Sequence, residues 1–244
     1  MISVIIPVLD AQNELATTFG ALVPATIEGL VREVIVVDGG SSDHSLRIAD
    51  EMGAKVITGP KGRGRQLALG GRKADGPWLL FLHADTVLEP GWSMDAEQFM
   101  QNFPQGQEGA AAFRFALNDK GIAPRMVEFM VGLRSHILKL PYGDQGLLIH
   151  KDFYDEIGGY SEVPLMEDVA IIRAIGAKRL HILASKARTS AVRYRNDGYI
   201  RRISRNLFCL GQYFAGVAPA KIARTYDPQM TPDAPEKESR DVRS

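Results

Sequence analysis

The chain has 244 residues, of which 45% are hydrophobic, and 29 lysines and arginines balance 29 aspartates and glutamates to a formal net charge of zero. That length and apolar content allow one large domain, or two small ones, with a sizeable core, and the neutral balance excludes a global field that would draw the chain to nucleic acid. The single cysteine, Cys209, excludes an internal disulfide framework and fits a reducing compartment.

The first apolar, β-branched run, Ile2 to Val8, is closed by Pro7 and Asp10 and reads as a buried strand. No basic segment precedes it, so it does not read as a signal peptide. No apolar stretch approaches the ~20 residues needed to span a bilayer, and the expected location is cytoplasmic. Asn13 to Val23 has helical spacing, with Leu15, Phe19 and Leu22 on one face. Glu33 to Val37 predicts a second buried strand, which ends at Asp38-Gly39-Gly40-Ser41-Ser42-Asp43. Ser45 to Met52 reads as a short helix and Lys55 to Thr58 as a third strand. Gly64 to Ala74 reads as a helix despite Gly70 and Gly71, each costing roughly 1 kcal/mol in a helix interior. Trp78 to Leu82 is a fourth strand that stops abruptly at His83-Ala84-Asp85. This alternation predicts an α/β fold: a mostly parallel, doubly wound, Rossmann-like sheet with helices on both faces and right-handed crossovers.

The second half is less regular. Gly109 to Leu117 alternates through Ala111, Phe113, Phe115 and Leu117, predicting a half-buried strand. Pro124 to Leu140 is an apolar helix, Gly146 to His150 a short strand and Lys151 to Ile157 a short helix. Leu165 to Ile175 is a helix with Ile171, Ile172 and Ile175 toward the core. Ala187 to Val192 reads as a last strand and Tyr199 to Val217 as an amphipathic helix. From Asp227 to Ser244 there are three prolines, mixed charge and almost no apolar residue, which predicts a disordered tail. The expected organisation is one domain over residues 1–226. Its two halves are residues 1–86 and 87–226.

In a parallel sheet three strand ends fall along one edge: Pro7 to Asp10, Asp38 to Asp43, and His83 to Asp85. Ligands of open α/β sheets bind at such edges. Asp85 is a hard oxygen ligand placed to hold Mg²⁺ or Mn²⁺, ions usually bound by one or two carboxylates plus substrate phosphates. Ser42 and Asp43 are accounted for as helix caps, whereas Asp38 stands before the turn and can accept N–H groups from a nucleobase. Gly62-Arg63-Gly64-Arg65-Gln66 opens a helix whose N-terminus, with two arginines, suits an anion. A solvated glycine-rich turn accounts for the same residues. Glu167-Asp168 opens another helix, where the dipole alone favours acid. The functional reading is a general base at Asp168. Tyr142-Gly143-Asp144-Gln145-Gly146 is a turn whose Asp144 and Gln145 can hydrogen-bond sugar hydroxyls, although a plain turn fits equally. Arg193, Arg195, Arg201, Arg202 and Arg205 cluster, with Arg193 and Tyr194 placed after a strand where they can turn inward to a diphosphate. The last helix carries both this basic group and Leu207, Phe208, Leu210, Phe214 and Val217. Core packing with a solvated basic face explains that pattern, and so does a weak contact with an anionic inner-membrane surface.

Taken in order, Val4-Ile5-Ile6-Pro7, Val36-Val37-Asp38-Gly39-Gly40-Ser41-Ser42-Asp43, His83-Ala84-Asp85-Thr86 and Glu167-Asp168 resemble the family 2 glycosyltransferases, which have the GT-A fold. The likeness is nearer to a bacterial subgroup in which Gly-Arg-x-x-Gln precedes Leu-His-Ala-Asp-Thr and Tyr-Gly-Asp-Gln-Gly follows. These stand here as Gly62 to Gln66, Leu82 to Thr86 and Tyr142 to Gly146, and Thr189 to Tyr194 answers to a Thr-Ser-Ala-Arg-Arg-Trp segment. The resemblance covers residues 2 to about 226 and implies that 1–86 are the nucleotide-binding half and 87–226 the acceptor half, with its C-terminal amphipathic helix. It implies a transfer that inverts the anomeric centre of a nucleotide-diphosphate sugar, with Asp168 as base. Donor contacts are implied at Pro7, Asp38, Arg63, Gln66, His83 and Arg193, acceptor contacts at Asp144, Gln145 and Glu167, and a divalent metal at Asp85. The acceptor is open, with a lipid-linked one among the candidates. The chain has Pro7-Val8-Leu9-Asp10-Ala11 where the family has Pro-x-x-Asn-Glu, and His83 at the first position of the usual Asp-x-Asp.

A nicotinamide enzyme would need glycines after the first strand, and residues 7 to 15 have none. A sugar-phosphate nucleotidylyltransferase would want a glycine-rich basic loop there. A non-catalytic nucleotide-sugar binding protein is the remaining alternative.

Overall fold

The computed structural model describes residues 1–103, 108–137 and 139–226. The tail expected to be disordered, 227–244, lies outside the described residues. In chain order the elements are β1 (Ile2–Val8), α1 (Leu15–Ile27), β2 (Val31–Asp38), α2 (Ser45–Glu51), β3 (Lys55–Thr58), α3 (Arg63–Lys73), β4 (Trp78–Phe81), β5 (Thr86–Leu88), α4 (Trp92–Asn102), β6 (Ala110–Leu117) and α5 (Ile122–Ile137). A 3₁₀ turn (Gly143–Gln145) leads to β7 (Leu147–His150), followed by α6 (Lys151–Glu156), α7 (Glu167–Ile175), β8 (Leu180–Thr189), α8 (Val192–Asp197), α9 (Tyr199–Phe214) and α10 (Pro219–Tyr226).

One eight-stranded sheet runs β3-β2-β1-β4-β7-β6-β8-β5. Its first four strands are parallel, as the strand–helix alternation predicts, with Ile5 opposite both Ile35 and Phe81. β7 then runs antiparallel to β4 and to β6, and β8 runs parallel to β6. These reversals position the site: the start of β7 and the ends of β1, β2, β4, β6 and β8 fall on one edge.

Helices cover both faces. Ile2, Val4, Ile6 and Val8 point into a core with Leu15, Phe19 and Leu22 of α1 and Trp92, Ala96 and Phe99 of α4. Ile5, Ile35 and Val37 point the other way, against Leu67 and Ala68 of α3, Phe153 and Tyr154 of α6, and Ile171, Ile172 and Ile175 of α7. Gly70 and Gly71 of α3 have a packing reason. A Cβ on Gly70 would fall 2.3 Å from Ile5 Cγ2, and one on Gly71 would fall 2.8 Å from the Tyr154 hydroxyl. The glycine cost in helix propensity is exchanged for a close helix–sheet approach.

Three expectations are corrected. β6 is buried along its length except at Arg114, because it lies inside the sheet between β7 and β8 rather than with one face to solvent. The last strand is Leu180–Thr189, seven residues earlier in its start than the spacing predicts, and Val192 opens α8 instead of closing the strand. β5, α4, α8 and α10 had no sequence prediction.

Candidate active site

The shared edge carries two adjoining hollows. The larger, about 370 Å³, is lined by Pro7 to Ala11 at the end of β1, Gly62, Arg63 and Gln66 at the start of α3, His83 and Asp85 beyond β4, and Ser190 and Arg193 beyond β8. The smaller, about 150 Å³, shares Arg63, His83, Asp85, Ser190 and Arg193 and extends to Tyr142, Asp144, Asp168 and the inner side of α9. Their common wall is therefore two guanidiniums, an imidazole, a hydroxyl and a carboxylate.

Each wall residue is held by the local fold. The loop bearing Asp85 is tied to the end of β8 by the Ser190 amide, which donates to the Asp85 carbonyl at 3.2 Å. The amide of Gly143 donates to Asp168 Oδ2 at 3.2 Å. A Cβ on Gly143 would stand 2.8 Å from His83 Nε2, so the glycine lets the 3₁₀ turn press directly on the imidazole. Tyr142 is pinned under Arg134, whose guanidinium carbon lies 3.4 Å from the ring centroid. Met166, immediately before Glu167, has a φ of 69°. The positive-φ residue stands directly before the first turn of α7.

The electrostatics follow from burial and neighbours. Burial, then the guanidiniums of Arg63 and Arg193, hold the His83 imidazole well below its ordinary range, so it is neutral at physiological pH. Burial pushes the Asp144 carboxyl up to about 6; Arg134 opposes this, and the carboxylates of Asp168 and Asp85 add to it. Asp144 Oδ1 is buried without a hydrogen-bond partner among the described residues.

Most of the residues singled out in the sequence meet here: Pro7, Arg63, Gln66, His83, Asp85, Asp144, Asp168 and Arg193 line one hollow or both. Three do not. Asp38 is 2% exposed, and its carboxylate accepts the amides of Gly40 and Ser41, at 2.9 and 3.1 Å, and the Ser41 hydroxyl at 2.5 Å. It closes the turn after β2, while Asp43, read as a helix cap, accepts the Ser45 amide at 2.9 Å at the start of α2. Gln145 accepts from the Ser135 hydroxyl and donates to the Phe113 carbonyl, facing away from both hollows. Glu167 is 1% exposed and ion-paired with Arg63. Gln66 lines the larger hollow but also donates to the carbonyls of Val8 and Val37, both at 2.8 Å, tying the ends of β1 and β2 together. Arg202, Asn206 and Cys209 of α9 and Tyr226 of α10 line the smaller hollow without having been singled out for it. Amphipathic spacing marks α9 as two-faced but does not say which face meets a site.

A bound divalent ion would need oxygen donors. Among the described residues no group of three or more histidine, cysteine, aspartate or glutamate side chains could hold a metal unaided. The set of one carboxylate at the common wall, with the unpartnered Asp144 oxygen near it, still fits an ion completed by substrate phosphates, the usual arrangement for Mg²⁺. No helix among the described residues is long and apolar enough to cross a membrane.

The fold is shared widely among solved structures. Glucosyl-3-phosphoglycerate synthase from Mycobacterium tuberculosis, solved with Mn²⁺, uridine diphosphate and phosphoglyceric acid, superposes with a TM-score of 0.56 at 17% identity over 85% of this chain and 77% of that one. Staphylococcus aureus TarS 1–349, solved with UDP, superposes with a TM-score of 0.59 at 18% identity over 78% of this chain and 60% of that one. These likenesses establish the GT-A fold. No match is found among curated proteins. The model of the glycosyl transferase family 2 matches residues 3–158, more than half of the sequence. The chain therefore belongs to glycosyl transferase family 2.

Proposed function

We propose that this glycosyltransferase moves a sugar from a nucleotide-diphosphate sugar to an acceptor hydroxyl, with inversion at the anomeric carbon and with Asp168 as general base. The observation that carries this reading is the common wall. The larger hollow, over the end of β1 and the start of α3, is where a nucleotide would lie. Its diphosphate would reach Arg63 and Arg193, while the sugar would project past His83 into the smaller hollow, beside Asp168 and Asp144. Two guanidiniums at a developing diphosphate charge are a preorganised electrostatic stabiliser.

Asp85, with the diphosphate oxygens, would hold Mg²⁺ or Mn²⁺, which when bound supplies Lewis-acid neutralisation of the leaving group. His83, kept neutral, can hydrogen-bond the donor without repelling that ion. Asp168 would take the proton from the attacking hydroxyl, its Oδ2 already oriented by the Gly143 amide. Asp144, across the same hollow, is suited to accept a hydrogen bond from an acceptor hydroxyl. The solved relatives that bind UDP with Mn²⁺ support this reading by likeness of fold.

The test is a panel of nucleotide sugars with and without Mg²⁺ or Mn²⁺, scored for donor hydrolysis and for the anomeric configuration of any product. Metal-dependent hydrolysis of one donor class is expected. Tight nucleotide binding with no turnover of any donor would instead assign a non-catalytic nucleotide-sugar binding protein.

A further inference from the structure

Apolar side chains are exposed here in a pattern that packing does not explain. On α5, Ile122, Met126, Phe129, Leu133 and Ile137 are all exposed, Phe129 at 71%. Their spacing of three and four residues lays them along one stripe. On α9, Ile200, Leu207, Phe208 and Phe214 are exposed as well, Phe208 at 59%. The two helices are neighbours: Val127 and Val131 of α5 pack with Tyr199 and Ile203 around α9. Met130 and Leu207 both line the crevice of about 80 Å³ between them. The two stripes thus flank one seam and make one face. Exposed apolar surface of this extent marks an interaction site.

Charge distinguishes the occupant. Between Val192 and Tyr226 stand seven arginines and lysines and one aspartate, in a chain whose total charge is zero; Arg193 and Arg202 line the site, and Arg195, Arg201, Lys221 and Arg224 are exposed. Asp197 is already taken by Arg202 and Arg205, and Arg201 is exposed on the same side of α9 as Phe208, two turns before it. A symmetric pairing of this face with a second copy would oppose two such cationic segments. An anionic bilayer offers the complementary charge to the arginines and an apolar interior to the stripes. The seam also adjoins the site, because Tyr194 and Asn206 line both the crevice and the smaller hollow.

We propose that the α5–α9 face docks on an anionic membrane surface, and that the acceptor is a lipid whose hydroxyl-bearing head reaches the smaller hollow from that surface. The docking stands on the exposed face; the choice of acceptor rests on the transferase reading above.

Flotation of the full chain with phosphatidylcholine vesicles, with and without phosphatidylglycerol, tests it at low and high salt. The chain is expected to float only with the anionic vesicles and to be released by salt. Phe129→Ser/Phe208→Ser and, separately, Arg201→Glu should each lower the vesicle-bound fraction roughly tenfold, with melting temperature and donor hydrolysis unchanged. Failure to float at low salt overturns the proposal, as does flotation of the double serine variant equal to that of the native chain. A solution mass of two chains that the double variant returns to one would assign the face to a second copy and also overturn it. Flotation without hydrolysis of any donor would keep the docking and remove the transferase reading. Hydrolysis without flotation would do the reverse.

Discussion

Arg63, in the first turn of α3, and Glu167, in the first turn of α7, form an ion pair across 104 positions of sequence. It joins two helix N-termini that both face the site. Glu167 is favoured by its helix dipole, whereas Arg63 opposes its own, so the glutamate compensates a placement that the local sequence leaves unfavourable. Burial alone would raise the Glu167 carboxyl, and Arg63 pulls it back down, but the net direction remains upward. Burial likewise works against charge on Arg63, and the carboxylates of Glu167 and Asp168 more than offset it. Glu167 Oε2 has no hydrogen-bond partner among the described residues, so the pair depends on a single charged contact.

Arg63→Ala should therefore destabilise the fold by on the order of 1–2 kcal/mol, below the scale for breaking a fully buried pair because the Arg63 side chain is 35% exposed, and more at pH 8 than at pH 5. The sign follows from Glu167. A carboxyl whose native pKa is raised favours the protonated native state, so its contribution is present below the ordinary carboxylate range and is lost as pH rises through the raised value. Removing Arg63 removes what opposes that rise. Urea unfolding at the two pH values checks this. An equal loss at both would mean that Arg63 acts through packing rather than charge.

Asp144 has the same sign and a stated position. With its carboxyl pushed up to about 6, native stability should fall between about pH 4 and pH 6 and level off above. Asp144→Asn should flatten that fall and leave the variant more stable than the native chain at pH 7, by on the order of 3 kcal/mol. Thermal melts across this range measure it. An unchanged pH profile in the variant would place the titration elsewhere, Glu167 being the next candidate.

Asp168→Asn keeps the shape of the side chain and an oxygen for the Gly143 amide but removes the base. Transfer should fall by roughly 10²–10⁴-fold, while donor affinity stays within a few-fold. Near-native turnover would return Asp168 to a role at the start of α7, where an acid is favoured by the dipole alone.

Asp85→Ala should abolish the metal-dependent part of nucleotide protection. In the native chain, UDP or GDP with Mn²⁺ should raise the melting temperature more than nucleotide alone, by mass action on the folded state. In the variant the two shifts should coincide. A metal-dependent increment that survives the substitution would move the ion to other ligands.

How much of this was legible beforehand differs from element to element. β1, β2 and β3 were readable from β-branched runs and β4 from a continuous apolar and aromatic run, each followed within a few residues by proline, glycine or aspartate, a pattern that admits few other structures. The convergence of Pro7, His83 and Asp85 was readable for the same reason: in a parallel array, strand ends share an edge whatever the loops do. α4 was not predicted, although Trp92, Ala96 and Phe99 recur at helical spacing; that its Asp95 accepts the Ser185 amide at 2.7 Å is visible only in the fold.

The sequence by itself determined the fold class, the edge on which chemistry would sit and most of the residue types found there, since each rests on local periodicity or on a residue just past a strand. Tertiary structure alone decided where the polar side chains point. Asp38, Gln145 and Glu167 carry the right groups at the right places in the chain, yet one closes its own turn, one bridges Ser135 and Phe113, and one neutralises Arg63. Arg202, Asn206 and Cys209 reach the site only because α9 packs with that face inward. A side chain's hydrogen-bond partners come from segments far away in sequence, and burial makes finding one obligatory. Spacing along the chain cannot state which partner that will be.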